Sequence, residues 1–124
     1  MSIVSITNKT KGKLPRLPFD MLKKKVLGAS YELSLAFVSD SESRRINKRL
    51  RGKDKPANIL SFPLTKSSGE IVIAIAYAKK EAPLYDHTPQ QHLAHLLIHG
   101  LLHLKGLSHG ATMESEEKRL LKLV

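Results

Sequence analysis

Within HGLLHLKGLSHG, residues 99–110, three histidines stand at intervals of four and six, with a glycine between the last two. A spacing of four on an α-helix puts two side chains on one face, so His99 and His103 present their rings to a common point. Gly106 lets the helix end in a left-handed turn and the chain reverse, which brings His109 back toward the same point. Three imidazole nitrogens with a fourth position open make a catalytic type of site for a divalent cation. Such an ion polarises a substrate oxygen or acidifies a water. All six histidines of the chain lie between His87 and His109. His92 and His95 fall near the same helical face and are expected to have supporting or structural roles, and His87 reads as a loop residue. The competing reading of the trio is three hydrogen-bonded core histidines.

Written as H-x-x-x-H-x-x-G-x-x-H, residues 99–109 match the long metalloprotease motif in every ligand and in the glycine. They depart from it at Gly100, where that motif carries the glutamate that acts as general base. A glycine accepts no proton, so a peptidase is a poor reading. Gly100 is expected instead to let backbone or substrate come close to the ion. The chain has no cysteine, so an ion must be held by histidine, carboxylate or water.

Its formal charge is +10, of which residues 1–55 carry +9 (14 bases, 5 acids) and residues 56–124 only +1 (7 bases, 6 acids). So uneven a field attracts polyanions, nucleic acid ahead of an anionic membrane surface, the bland alternative being a merely basic surface. An open cation site on a basic protein without a carboxylate base points to phosphodiester substrates, where positioning and charge neutralisation carry much of the work.

The helix bearing the trio is well specified. Thr88, Pro89 and Gln91 supply an N-cap, a first helical residue and a capping box, and Gly106 a stop just beyond Leu104 or Lys105. Its remaining positions are almost all apolar, which predicts a buried helix with the histidines as an internal polar stripe. Strands are predicted at IVSIT (3–7), YELSLAFVS (31–39), ANILSF (57–62, closed by Pro63) and EIVIAIA (70–76), the last being the most apolar and deeply placed. Helices are predicted from about Asp20 to Leu27, over SESRRINKRL with Asp40 as cap, and over TMESEEKRLLKLV. Strands alternating with helices give an α+β domain with an α/β-like layer of about four strands covered by helices. With no repeat or linker, and neither a long apolar span nor a secretory leader, residues 1–124 read as one soluble, intracellular domain.

HLLIHGLLHLKGLSH (95–109) resembles the H-G-x-L-H-L-x-G-x-D-H signature of the YbeY family of bacterial endoribonucleases and rRNA maturation factors. LRGKDKPANILSFP (50–63), GEIVI (69–73) and ATMESEE (111–117) are similar to further blocks of that family, in the same order. The resemblance implies a mixed sheet of about four strands and a metal-binding helix with metzincin-like ligand spacing. It implies one divalent ion, Zn2+, on His99, His103 and His109. It also implies cytoplasmic cleavage of single-stranded RNA in 16S rRNA maturation and ribosome quality control. The implied partners are the small ribosomal subunit, a ribosomal protein and an assembly GTPase, with no membrane. The family's arginine near the metal corresponds to Arg51, joined by Lys53, Asn58 and Ser61 as candidate RNA contacts. The chain departs from the pattern at Ser108, where an aspartate is usual, at Ala57, where threonine is usual, and at Ala74, where cysteine is common. Gly100 and Ser108 leave open a non-enzymatic, metal-containing ribosome assembly or RNA-binding factor, and a metallopeptidase is the remote alternative.

Overall fold

The run Ile71–Ile75 is uninterrupted in apolar residues, so the strand it forms has no polar side to turn to water and belongs in a sheet interior. In the computed structural model, which describes residues 3–124, that strand is β4 (Ser68–Ala74), flanked on both sides. The sheet runs β1 (Ile3–Asn8), β2 (Glu32–Val38), β4, β3 (Ile59–Thr65). β1, β2 and β4 are parallel, and β3 returns antiparallel to β4 at the edge, so the sheet is mixed. Around it lie α1 (Phe19–Leu27), α2 (Asp40–Arg51), α3 (Ile75–Glu81), α4 (Pro89–Lys105) and α5 (Ala111–Leu121), with a 3₁₀ turn over Ala82–Tyr85.

The pleat sorts the core into two sets. Leu33, Leu35, Phe37, Ile71 and Ile73 form one cluster with Leu22 and Val26 of α1 and Leu93, Leu97, Ile98 and Leu101 of α4. Val38, Leu60 and Val72 form a smaller one with Ile46 of α2. α4 therefore packs on one face of the sheet and α2 on the other. No helix among the described residues is long and apolar enough to cross a membrane.

Three local expectations are corrected. Ser39, not Asp40, caps α2, its hydroxyl accepting from the Glu42 backbone N–H at 3.2 Å. Pro63 does not close β3, because an edge strand tolerates a residue that cannot donate to the ladder, and the register shifts only between Pro63 and Thr65. The fourth strand stops at Ala74, and the next seven residues form α3, absent from the sequence reading. Its first residues, IAYA, prolong the apolar run of β4 and so hide the change of period.

The cap of α4 follows its expectation. Thr88 Oγ1 accepts from the Gln91 N–H, Gln91 Oε1 accepts from the Thr88 N–H, and Gly106 ends the helix at φ +106°.

A buried polar pair on α2 fixes the loop between α2 and β3. Ser43 Oγ donates to the Ala57 carbonyl at 2.7 Å and accepts its N–H at 3.0 Å, while Asn47 Nδ2 donates to the Lys55 carbonyl at 2.8 Å. Both side chains are almost completely buried, so these bonds replace water that neither loop nor helix can reach. They hold the segment from Arg51 to Asn58 against the edge of the sheet.

Candidate metal centre

Two local devices deliver the rings of the histidine trio. His99 and His103 are one helical turn apart on α4, and their Nε2 atoms lie 3.0 Å from each other. His109 arrives through the left-handed Gly106 and a short loop, its ring centroid 5.0 Å from that of His99 and 5.1 Å from that of His103. One nitrogen from each of the three falls within 4.8 Å of the others, a spread that one ion can draw together. Burial first, and the neighbouring His99 and His109 second, push the His103 pKa below its ordinary value. The neutral imidazole, with a free lone pair, is the form that ligates a cation.

The sequence reading missed Glu117, which organises this cluster. Its buried carboxylate oxygen Oε2 lies 3.1 Å from His99 Nδ1 and 3.5 Å from His95 Nε2. A carboxylate only accepts, so His99 Nδ1 carries the proton and the bare Nε2 faces His103. A carboxylate behind a ligating histidine fixes its tautomer and raises its basicity. The signal was present in the chain: Met113, Glu117 and Leu120 stand at helical spacing and form the buried face of α5, which makes Glu117 an acid on an apolar stripe. The donor set and the tautomer of His99 fit a divalent ion on His99, His103 and His109, with His109 on the exposed side of the cluster. Replacing Glu117 by glutamine is expected to weaken the ion's hold about 10- to 100-fold with the fold intact, measured by chelator competition.

Gly100 has a different role from the one its position suggested. It is buried on the sheet side of α4, where an added Cβ would lie 2.8 Å from Ile59 Cδ1 and 3.1 Å from Ile71 Cδ1. The missing side chain allows α4 to approach β3 and β4; it does not open space at the ion. Gly100→Glu is therefore expected to lower the melting temperature and to create no peptidase, because the new carboxylate would be forced between two isoleucines. A thermal melt and a casein digest check both halves.

The trio opens into a cleft of roughly 470 Å³ that is also lined by Arg51, Asn58, Ile59, Leu60 and Ser61. Arg51 is exposed at the end of α2, and Ser61 is on the edge strand. Asn58 precedes that strand and donates through Nδ2 to Glu81 Oε1 at 2.7 Å. Lys53 is exposed on the α2–β3 connection and does not line the cleft. Ser108 is exposed and makes no side-chain hydrogen bond among the described residues, so the carboxylate close to the trio is Glu117. His92 is almost fully buried and has both nitrogens engaged, Nε2 by Glu81 Oε1 at 2.8 Å and Nδ1 by His87 Nδ1 at 3.1 Å. It ties α4 to α3, a structural role, and its partner His87 lies, as expected, on the loop before α4.

A family model described as "Endoribonuclease YbeY" matches residues 4–124. A protein of Halalkalibacterium halodurans named "Endoribonuclease YbeY" is 36% identical over 112 residues, 77% of this chain and 69% of that protein. One of the same name from Chelativorans sp. is 39% identical over 99 residues, 73% of this chain and 61% of that protein. The alignments thus span between three fifths and seven tenths of these relatives' lengths. Among solved structures, the solution structure of TM1509 from Thermotoga maritima superposes with a TM-score of 0.70 at 25% identity, covering 97% of this chain and 87% of that one.

Proposed function

The chain belongs to the YbeY endoribonuclease family, and from that membership and the make-up of the cleft we propose that it is a metal-dependent endoribonuclease that cleaves single-stranded RNA. Its substrate in this reading is rRNA of the small ribosomal subunit, cut during 16S maturation and ribosome quality control in the cytoplasm. A ribosomal protein and an assembly GTPase are its partners, and residues 1–124 act as one domain. The single observation that carries the reading is the convergence of three imidazole nitrogens on a cleft that holds an arginine and, among the described residues, no acidic lining residue. That lining suits an anionic substrate and lacks the carboxylate that a zinc peptidase uses as base.

His99, His103 and His109 hold the ion, Zn2+ in this reading, and Glu117 keeps His99 in the ligating tautomer. The bound ion would supply Lewis acidity toward a phosphoryl oxygen or a water. Arg51 grips the phosphate to be cut and stabilises the charge that grows on it, a task suited to the planar guanidinium fork. Asn58 and Ser61 orient the strand along the edge of β3, and Lys53, outside the cleft, takes a neighbouring phosphate.

The lack of a carboxylate base among the described residues that line the cleft favours one second reading, an assembly factor that binds RNA around a structural ion. Incubating ion-loaded protein with single-stranded and duplex rRNA fragments separates the two. Cleavage of the single strand alone, stopped by chelator, supports the nuclease; tight binding without cleavage supports the assembly factor.

The basic first half carries a separate expectation. Affinity for RNA should fall steeply with salt, by about 0.7 in log-log slope for each phosphate contacted. A titration from low to physiological salt should give a slope of about −2 or steeper, several contacts' worth. A flat response would remove the polyanion argument and leave the metal argument standing.

A further inference from the structure

Beside the metal centre lies a second hollow, of about 220 Å³, that the chemistry above does not use. Tyr85, His92, His95 and Leu96 line it, and it shares Asn58, Ile59, His99 and His109 with the cleft, so the two are continuous. Pockets for drug-sized ligands run from about 300 Å³ upward, and this one has room for little more than one ring system.

Its walls suit a flat ring. Tyr85 is 55% exposed, although tyrosine is a large side chain that could bury far more of its surface. His92 and His87 both stack with its ring, at centroid distances of 4.8 and 6.1 Å and interplanar angles of 29° and 22°, and they lie 5.3 Å from each other, which puts them on one side of it. His92 in turn is immobilised through Glu81 and His87, and Glu81 Oε1 also accepts from Asn58. Tyr85 closes a 3₁₀ turn whose next residue, Asp86, is held in the left-handed region at φ 56° by backbone bonds to Ala82 and Pro83. A half-exposed aromatic on so rigid a support loses little conformational entropy when a partner stacks on it. Asn58, its amide N–H groups turned to Glu81, keeps a carbonyl oxygen to accept from a base edge.

We propose that this hollow is a subsite for one unpaired nucleobase of the RNA, which stacks on the half-exposed ring of Tyr85 next to the phosphate at the metal centre. The identity of the strand rests on the endoribonuclease reading; the stacking site rests on the geometry of Tyr85, His92 and Asn58. Only a strand whose bases are free to swing out can place one there, which gives the chain a physical reason to prefer single-stranded substrate.

The test uses the ion-loaded protein and a short single-stranded RNA in which each position is replaced in turn by an abasic residue. Tyr85→Ala, with ion content equal to wild type, should bind the intact RNA about 5- to 150-fold more weakly, the effect of losing one base stack. At one abasic position wild type should lose affinity to a similar extent, and Tyr85→Ala should lose nothing more. The chain has no tryptophan, so Tyr85→Trp is a single-tryptophan reporter, expected to keep affinity and be quenched by the intact RNA but not by that abasic one. Wild-type affinity in Tyr85→Ala, or an abasic penalty at every position that is the same in both proteins, would overturn the subsite. Binding is read independently of cleavage: uniform binding with normal cleavage sinks the subsite alone, and base-dependent binding without cleavage sinks the nuclease alone.

Discussion

His103→Ala is expected to lose the ion and to cut RNA at least about 10³-fold more slowly than wild type, while its far-UV circular dichroism and melting cooperativity stay close to wild type. His103 is on the last turn of α4, partly exposed, and one of its ring nitrogens is among the three that lie together. Removing a ligand should cost more than the 10- to 100-fold in metal affinity that disturbing a supporting hydrogen bond costs, so we expect a loss above about 100-fold. Lewis-acid stabilisation is worth several kcal/mol, and each ~1.4 kcal/mol is a factor of ten in rate. The fold survives because α4 is anchored elsewhere, by Leu93, Leu97, Ile98 and Leu101 in the core and by the Thr88 capping box. Unchanged cleavage in a folded, ion-free variant would mean that the activity comes from a contaminant or another site.

Arg51→Ala should give the second largest effect, with a different signature. Arg51 borders the cleft without touching the histidines' hydrogen-bond network, so ion content should match wild type. Losing one preorganised donor to a developing charge typically costs about 10² to 10³ in kcat. Stability should change by less than about 1 kcal/mol, since the exposed side chain ends α2 and contributes mainly to its dipole. Arg51→Lys should recover only part of the rate, because an ammonium keeps the charge and loses the bidentate fork. Full recovery by lysine would replace bidentate recognition with simple charge neutralisation.

The legible parts of this chain were those in which several local signals agree. Thr88, Pro89, Gln91 and Gly106 bracket α4 independently of its apolar pattern, and the four-residue step from His99 to His103 needs only helical geometry to bring two rings together. The strand β4 was legible from an apolar run that nothing but a sheet interior accommodates. Failure came where one pattern fits two structures or where the partner is distant in the chain. The alternation of Ile and Ala through Ile73–Ala76 suits a strand as well as the start of α3, and only tertiary packing decides. In the sequence Gly100 reads as a residue of the ion site because a ligand stands beside it; its actual neighbours, Ile59 and Ile71, belong to strands whose placement no local signal carries. Glu117, 18 residues from His99, reaches it only because α5 folds back on α4. An acid on an apolar helical stripe announces a buried partner without naming it.

In the proposed activity His99, His103 and His109 would hold one divalent ion that supplies the Lewis acidity for RNA cleavage. The most direct test is to strip the protein of metal, titrate Zn2+ back by calorimetry, and assay a single-stranded rRNA fragment at each point of the titration. One ion per chain should bind at micromolar concentration or tighter, with cleavage returning in proportion to the ion bound. No heat at those concentrations, or undiminished cleavage by the stripped protein, would contradict it.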